Sequence, residues 1–273
     1  MTNLRPRDRA ARLPSVRIPY GPGPSQFGEL RVPPGPGPHP VAVVLHGGCW
    51  TTMVALDIMS PLSEALTNEG LATWNVEFRR ITMGKSDSGY PDTFLDVGAA
   101  IDELRAIAPA YDLDLDRVKA VGHSAGGQLA LWAAARPRLP ETSGIRGSAP
   151  LPLRGVVSLA GVLDLADATA RGLCGNLADQ LLGGTKAQVP ERYAETNPAE
   201  LLPIGVRQVL VHGAADVVVP LSGSETYRAR AYAAGDRISL TAIPDADHFD
   251  VITPSSTKWP QVRARILGIY RGE

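Results

Sequence analysis

Apolar and polar positions along the chain alternate in a way that predicts short strands separated by longer helices. Ser15-Val16-Arg17-Ile18 and Phe27-Gly28-Glu29-Leu30-Arg31-Val32 are β-like pieces bounded by Pro/Gly turns, which predicts an antiparallel hairpin at one edge of a sheet. Val41-Ala42-Val43-Val44-Leu45 is apolar without interruption, the pattern of a strand buried on both faces. A helix is expected over about 56–68, stopped by Gly70, and a strand over 71–78. After a loop (79–91, with Gly84, Ser86, Ser88 and Gly89), Phe94, Val97, Ala100, Ile101, Leu104 and Ile107 recur at spacings of three and four. That period predicts one helix over about 92–107 with a core-facing side. The run from Val118 to Val121 is the next buried strand and leads into a helix-forming stretch, 128–135. Further strands are expected at 155–159, 208–211 and 238–243, with helical patterns near 222–234 and 261–270. No internal repeat is visible.

Strands that alternate with helices imply an α/β fold, a mostly parallel sheet with helices on both faces. In such sheets the chemistry gathers just past the carboxyl ends of the strands. Residues 15–273 are read as a single domain and 1–14 as a flexible N-terminal tail. The tail carries Arg5, Arg7, Arg9 and Arg12 but no apolar core, unlike a secretory signal. Residues 164–203 are the least like core elements and read as an insertion. A net charge of −1 argues against a nucleic-acid partner. No apolar run approaches the ~20 residues needed to span a bilayer. Two cysteines, Cys49 and Cys174, are too few for a disulfide framework, which fits a cytoplasmic protein, although the sequence leaves a single bridge between them open.

The candidate chemistry centres on Gly122-His123-Ser124-Ala125-Gly126-Gly127, which sits between the strand ending at Val121 and the helix that follows. A strand, a sharp turn and a helix in that order make a nucleophile elbow, with Ser124 at its tip. Alone the pentapeptide is weak, and it gains force only if a base, an acid and oxyanion donors follow in the right order. Of the five histidines, His39 is expected to be exposed among prolines, and His123 adjoins the serine too closely to act as its base. His46 and His212 each precede a glycine just after a strand, a setting that favours bonding loop backbone. His248, in the loop past the last strand, is the candidate base. Asp216 is the candidate acid, with Asp164 its rival, and for both the bland alternative is a helix or turn cap. Asp245, Asp247 and Asp250 read as loop-forming residues. His46-Gly47-Gly48-Cys49-Trp50 follows the first buried strand, so the Gly48 and Cys49 amides, with that of Ala125, can form an oxyanion hole.

These residues, together with Tyr20-Gly21 and Gln26, Gly89-Tyr90-Pro91 with Phe94, Asp96 and Val97, His212-Gly213, Val219-Pro220 and Asp247-His248-Phe249, carry a resemblance. From about Ser15 to Tyr270 the chain resembles the α/β-hydrolase superfamily, most nearly the small esterases and arylformamidases (kynurenine formamidases). The resemblance implies Ser124 as nucleophile, Asp216 as acid, His248 as base, and a cap formed by 164–203. Cys49 stands where the superfamily commonly has a third glycine, which narrows the site or presents a thiol. Trp50, Tyr90, Cys174 and Phe249 are candidate pocket residues.

The expectation is therefore a cofactor-free and metal-free serine hydrolase acting on a small ester or amide, cytoplasmic, without membrane or nucleic-acid partners, and monomeric or homodimeric. Arylformamidase activity is the alternative within enzymes, and a non-catalytic ligand receptor of the same fold is the alternative outside them.

Overall fold

The computed structural model describes residues 14–82 and 89–273. The expected tail, apart from Pro14, and Gly84, Ser86 and Ser88 of the loop lie outside the described residues. The sheet has eight strands: β1 (Val16–Pro19), β2 (Phe27–Arg31), β3 (His39–Leu45), β4 (Ala72–Val76), β5 (Leu113–His123), β6 (Val156–Leu159), β7 (Gln208–Gly213) and β8 (Ile238–Ile243). Their spatial order is β1-β2-β4-β3-β5-β6-β7-β8. β1 and β2 form the expected antiparallel edge hairpin, with Val16 opposite Leu30, and β2 joins β4 antiparallel. From β4 to β8 every pairing is parallel.

The continuous apolar strands lie where both faces are covered. Val41 to Leu45 are fully buried, and alternate residues feed two separate cores, one on each side of the sheet. One side is covered by α1 (Ser60–Asn68) and the C-terminal α9 (Trp259–Arg271). The other is covered by α2 (Asp92–Asp102), α3 (Leu104–Tyr111) and α4 (Ala125–Ala135). α4 is apolar all round and every one of its residues is buried, as a helix must be when it runs under other elements. α8 (Leu221–Ala233) precedes β8.

Three expectations are corrected. The helix predicted over 92–107 divides at Glu103 into α2 and α3. Asp102, at the division, accepts hydrogen bonds from Arg136 (2.6 Å) and from the Leu151 amide (2.7 Å), ties that a hydrophobic period does not encode. His39 is buried rather than exposed, because it opens β3 and its amide donates to the Asp112 carbonyl at 2.7 Å. Cys49 and Cys174 are joined by a disulfide, their Cα atoms 5.8 Å apart, so the cysteine argument for a cytoplasmic location falls away. Among the described residues no helix is long and apolar enough to cross a membrane.

Residues 164–203 leave the sheet between β6 and β7 as three short helices: α5 (Leu165–Ala170), α6 (Leu177–Leu182) and α7 (Pro190–Thr196). They are moored by polar ties to the body. The side chains of Trp132 and Gln128, on α4, donate to the carbonyls of Glu195 (3.0 Å) and Thr196 (2.8 Å). The amide of Tyr90 donates to the Leu181 carbonyl at 2.8 Å, and within the segment itself the amide of Leu165 donates to Asn197 Oδ1 at 3.0 Å.

α4 lies close against both β5 and the end of β3. A Cβ on Gly122 would collide with the Gly126 carbonyl, and one on Gly126 with the carbonyls of Leu45 and His46. These obstacles are backbone, which cannot rotate aside. Gly122→Ala is therefore expected to destabilise the protein by about 3 kcal/mol or more. Urea unfolding of the variant beside Gly144→Ala checks this. Gly144, like Gly122, lies outside the left-handed region, and nothing lies near its Cβ position, so its variant gives the cost of an added methyl without the collision.

Candidate active site

Ser124 ends β5 and begins α4 with φ 53° and ψ −119°, a conformation that L-residues rarely adopt. Its amide donates to the Leu159 carbonyl at 2.9 Å, and its own carbonyl accepts from the amides of Gly127 (2.9 Å) and Val162 (3.2 Å). The turn is thus held on both sides while the serine stands at the carboxyl edge of the sheet, only 4% exposed.

Asp216 and His248 come together although 31 residues separate them in sequence. His248 Nδ1 donates to Asp216 Oδ2 at 2.7 Å. The other carboxylate oxygen, Oδ1, accepts from the amides of Val218 and Val219, each at 2.8 Å. His212 Nε2 lies 3.3 Å from Oδ2 and donates to the Val219 carbonyl at 2.8 Å. Burial by itself would raise the Asp216 carboxyl. Hydrogen bonds from His212, from His248 and from the Val219 amide outweigh it and hold the group well below the usual carboxylate range. The acid is therefore an anion in a dry setting, held between two imidazoles, with the shorter contact to His248. Among the described residues, no three His, Cys, Asp or Glu side chains group so as to hold a metal ion.

The rivals separate by their contacts. Asp164 caps α5, accepting from the amides of Ala166 (3.1 Å) and Asp167 (3.3 Å), and pairs with Arg230 at 2.8 Å. His46 donates from Nδ1 to the Gly47 carbonyl and from Nε2 to buried Glu77 at 3.2 Å, and His212 holds the Asp216 loop, so both serve backbone and loop as expected. Asp247 and Asp250 bond each other's amides and fix the loop that presents His248. His123 donates from Nε2 to the His248 carbonyl at 3.0 Å, with their rings 4.7 Å apart. It is a strut between the elbow and the histidine loop.

The glycine loop lies directly against the serine, since a Cβ on Gly47 would come within 3.0 Å of Ser124 Cβ. Gly48, Cys49 and Trp50 all have positive φ (106°, 50° and 58°), and the Thr51 amide closes a turn onto the Gly48 carbonyl at 2.9 Å. None of the amides of Gly48, Cys49 or Ala125 has a backbone acceptor among the described residues. Trp50, expected in the pocket, is instead 1% exposed in the core, with its indole N–H donating to Gln128 Oε1 at 3.0 Å. It braces the loop against α4. Tyr90 packs on Phe94 (6.1 Å between ring centroids) and beneath Arg192 (4.9 Å). Phe249 is 49% exposed, with its ring edge-on to His248 at 5.2 Å.

Sequence reasoning passed over Glu77 and Gln128. Glu77, 4% exposed, accepts from His46, from the Leu56 amide (3.1 Å) and from Arg80 (2.9 Å), and so anchors the base of the glycine loop. The available signal was a carboxylate near the end of the strand expected over 71–78.

A family model described as BD-FAE matches residues 31–230, more than half of the chain. The chain belongs to the BD-FAE family. It is also 24% identical over 221 residues to a probable isoprenylcysteine alpha-carbonyl methylesterase of Oryza sativa subsp. japonica. That match takes in 78% of this chain and 52% of the rice protein, so the chain spans about half the length of the curated relative it matches. Among solved structures, a truncated carbohydrate esterase from gut microbiota superposes with a TM-score of 0.78 at 20% identity, covering 94% of this chain and 95% of that one. An inhibited form of esterase B from Lactobacillus rhamnosis superposes at 0.80 and 20% identity, covering 94% and 85%. These likenesses share the fold described above, so this BD-FAE member has the α/β-hydrolase fold.

Burial lowers the His123 imidazole from 6.5 to about 3, helped by the neighbouring His248. A histidine whose folded pKa is depressed binds its proton more readily when unfolded. Its contribution is therefore complete above about pH 6.5 and is lost as pH falls toward 3, with a slope of up to about 1.4 kcal/mol per pH unit. Urea unfolding between pH 7 and 4.5, above most carboxylate titration, is expected to show stability falling with pH in the wild type and a shallower fall in His123→Gln.

Proposed function

We propose that this protein is a serine hydrolase that cleaves a carboxylic ester of a small substrate through an acyl-enzyme. The observation that carries the reading is the 2.7 Å contact from His248 Nδ1 to a buried, doubly amide-bonded Asp216, on the same sheet edge as the strained Ser124. With Nδ1–H committed to the carboxylate, the other ring nitrogen, Nε2, carries the lone pair that takes the serine proton. Ser124 Oγ attacks the carbonyl carbon and the amides of Gly48, Cys49 and Ala125 receive the oxyanion. His248 then protonates the departing alcohol, and water, activated by the same histidine, releases the acid.

Esterase relatives favour an ester over a formamide. Exposed apolar side chains on the loops that follow β3, β7 and β8, namely Met53, Val217, Val218 and Phe249, support a substrate with an apolar part. α5 to α7 are read as the cap that sets substrate choice. The carbohydrate esterase and the isoprenylcysteine methylesterase among the relatives give one polar and one apolar ester class to compare with it.

Ser124→Ala is expected to lower kcat on p-nitrophenyl acetate by about 10³-fold or more, and Asp216→Asn by about 10³–10⁴-fold. Wild-type protein should hydrolyse p-nitrophenyl acetate and butyrate well ahead of N-formylkynurenine. Near-normal turnover by Ser124→Ala would remove the nucleophile assignment, and faster formamide cleavage would make the protein an arylformamidase. Failure of the wild type to bind a fluorophosphonate probe would point to the receptor alternative.

A further inference from the structure

The turn that presents the Gly48 and Cys49 amides is built against local preference. Its two central residues, Cys49 (φ 50°) and Trp50 (φ 58°), both lie in the left-handed region, as in a primed turn that normally selects Asn and Gly. A residue with a β-carbon pays for that conformation, and keeps it only when its surroundings over-determine it. At Trp50 the surroundings are plain: the indole bonds Gln128, and the Trp50 carbonyl accepts from the Ile81 amide at 2.9 Å. At Gly48 the carbonyl accepts from both the amide and the hydroxyl of Thr51. Cys49 has no such hydrogen bond among the described residues. What holds it is Cys174.

Cys174 lies 125 residues further along, in the link between α5 and α6, and it too has a positive φ (56°), flanked by Gly172 and Gly175 at 69° and 62°. Among the described residues, no hydrogen bond or ion pair joins 171–176 to 46–51. Among the described residues, the disulfide is thus the one polar or covalent tie between the first helical link of the insertion and the glycine loop. We propose that the Cys49–Cys174 disulfide is the clamp that keeps Cys49 in its left-handed conformation, and so positions the oxyanion amides. This deepens the serine-hydrolase reading above and rests on it for its effect on turnover. It makes turnover sensitive to thiol redox state.

Opening the clamp is a balanced exchange with a dithiol. One thiolate of the dithiol attacks Sγ of Cys174 and displaces the Cys49 thiolate, which takes up a proton. The second thiol then attacks the mixed disulfide, frees Cys174 as a thiol and leaves as a cyclic disulfide. Arg171, Gly172, Gly175 and Asn176 are exposed around Cys174, so that end is the one a reductant reaches.

The test uses dithiothreitol on the folded wild-type protein, with p-nitrophenyl acetate as substrate. Reduction is expected to lower kcat at least about tenfold, less than the 10²–10³ lost with a whole oxyanion donor, while KM stays within about twofold. Reoxidation with glutathione disulfide should restore it. Cys174→Ser, which leaves the Cys49 peptide in place, should have the low kcat throughout and ignore dithiothreitol. Hydrogen exchange followed by mass spectrometry supplies a readout independent of activity: peptides spanning 46–52 should exchange faster on reduction, and those spanning 208–213 should not. Unchanged exchange in 46–52, or full kcat in both reduced wild type and Cys174→Ser, overturns the clamp. If the oxidised protein hydrolyses no ester yet its 46–52 exchange rises on reduction, the clamp stands and the serine-hydrolase reading is what fails.

Discussion

The backbone of α4 crosses β5 with no room for a side chain between them, and the candidate site depends on that contact. Gly122 permits the approach because it lacks a Cβ, which would strike the Gly126 carbonyl, and Gly126 lets the helix start lie against the Leu45 and His46 carbonyls at the end of β3. The chain must reverse within a few residues to pass from strand to helix, and Ser124 takes the unfavourable conformation at the reversal. Strain of this kind costs about 1–3 kcal/mol and persists only inside a structure that over-determines it. Here the elements that enforce it are a fully buried helix and the buried C-terminal half of a central strand.

Near that crossing, the buried carboxylates are paired. A carboxylate removed from water is tolerable when hydrogen bonds replace its hydration. Asp216 meets that requirement with two amides and two imidazoles, and Glu77 meets it with His46, an amide and Arg80. The two carboxylates perform different tasks by the same means. Asp216 aims His248, while Glu77 fixes the loop that faces the serine. His123, between them, bonds the His248 carbonyl and ties the elbow to the histidine loop.

Much of this was legible along the chain. Apolar runs of four or five residues marked the strands because a parallel sheet covered on both faces leaves no alternation. The order of Ser124, Asp216 and His248, each just beyond a strand, followed from the rule that chemistry collects at carboxyl ends. Asp164 and Asp216 could not be separated so easily, since a cap and an acid are both aspartates after strands. Only their contacts distinguish them: helix amides and Arg230 for one, His248 for the other. Trp50 looked like a pocket residue because aromatics near a nucleophile often are, but its indole N–H found a buried partner on α4.

Local sequence by itself determined which segments are strands and helices, where the sharp turn falls, and which residue types stand at strand ends. Those properties rest on the periodicity of burial and on the conformational freedom of glycine, both of which are local. Tertiary structure alone decided the pairings: His248 with Asp216, Asp102 with Arg136 at the break between α2 and α3, and Cys49 with Cys174 across 125 residues. A hydrogen bond or disulfide depends on distance in space, and distance in space is set by how the helices pack on the sheet. The same two cysteines that read as ordinary by count become, once the fold brings their Cα atoms within 5.8 Å, the tie that secures the loop beside Ser124.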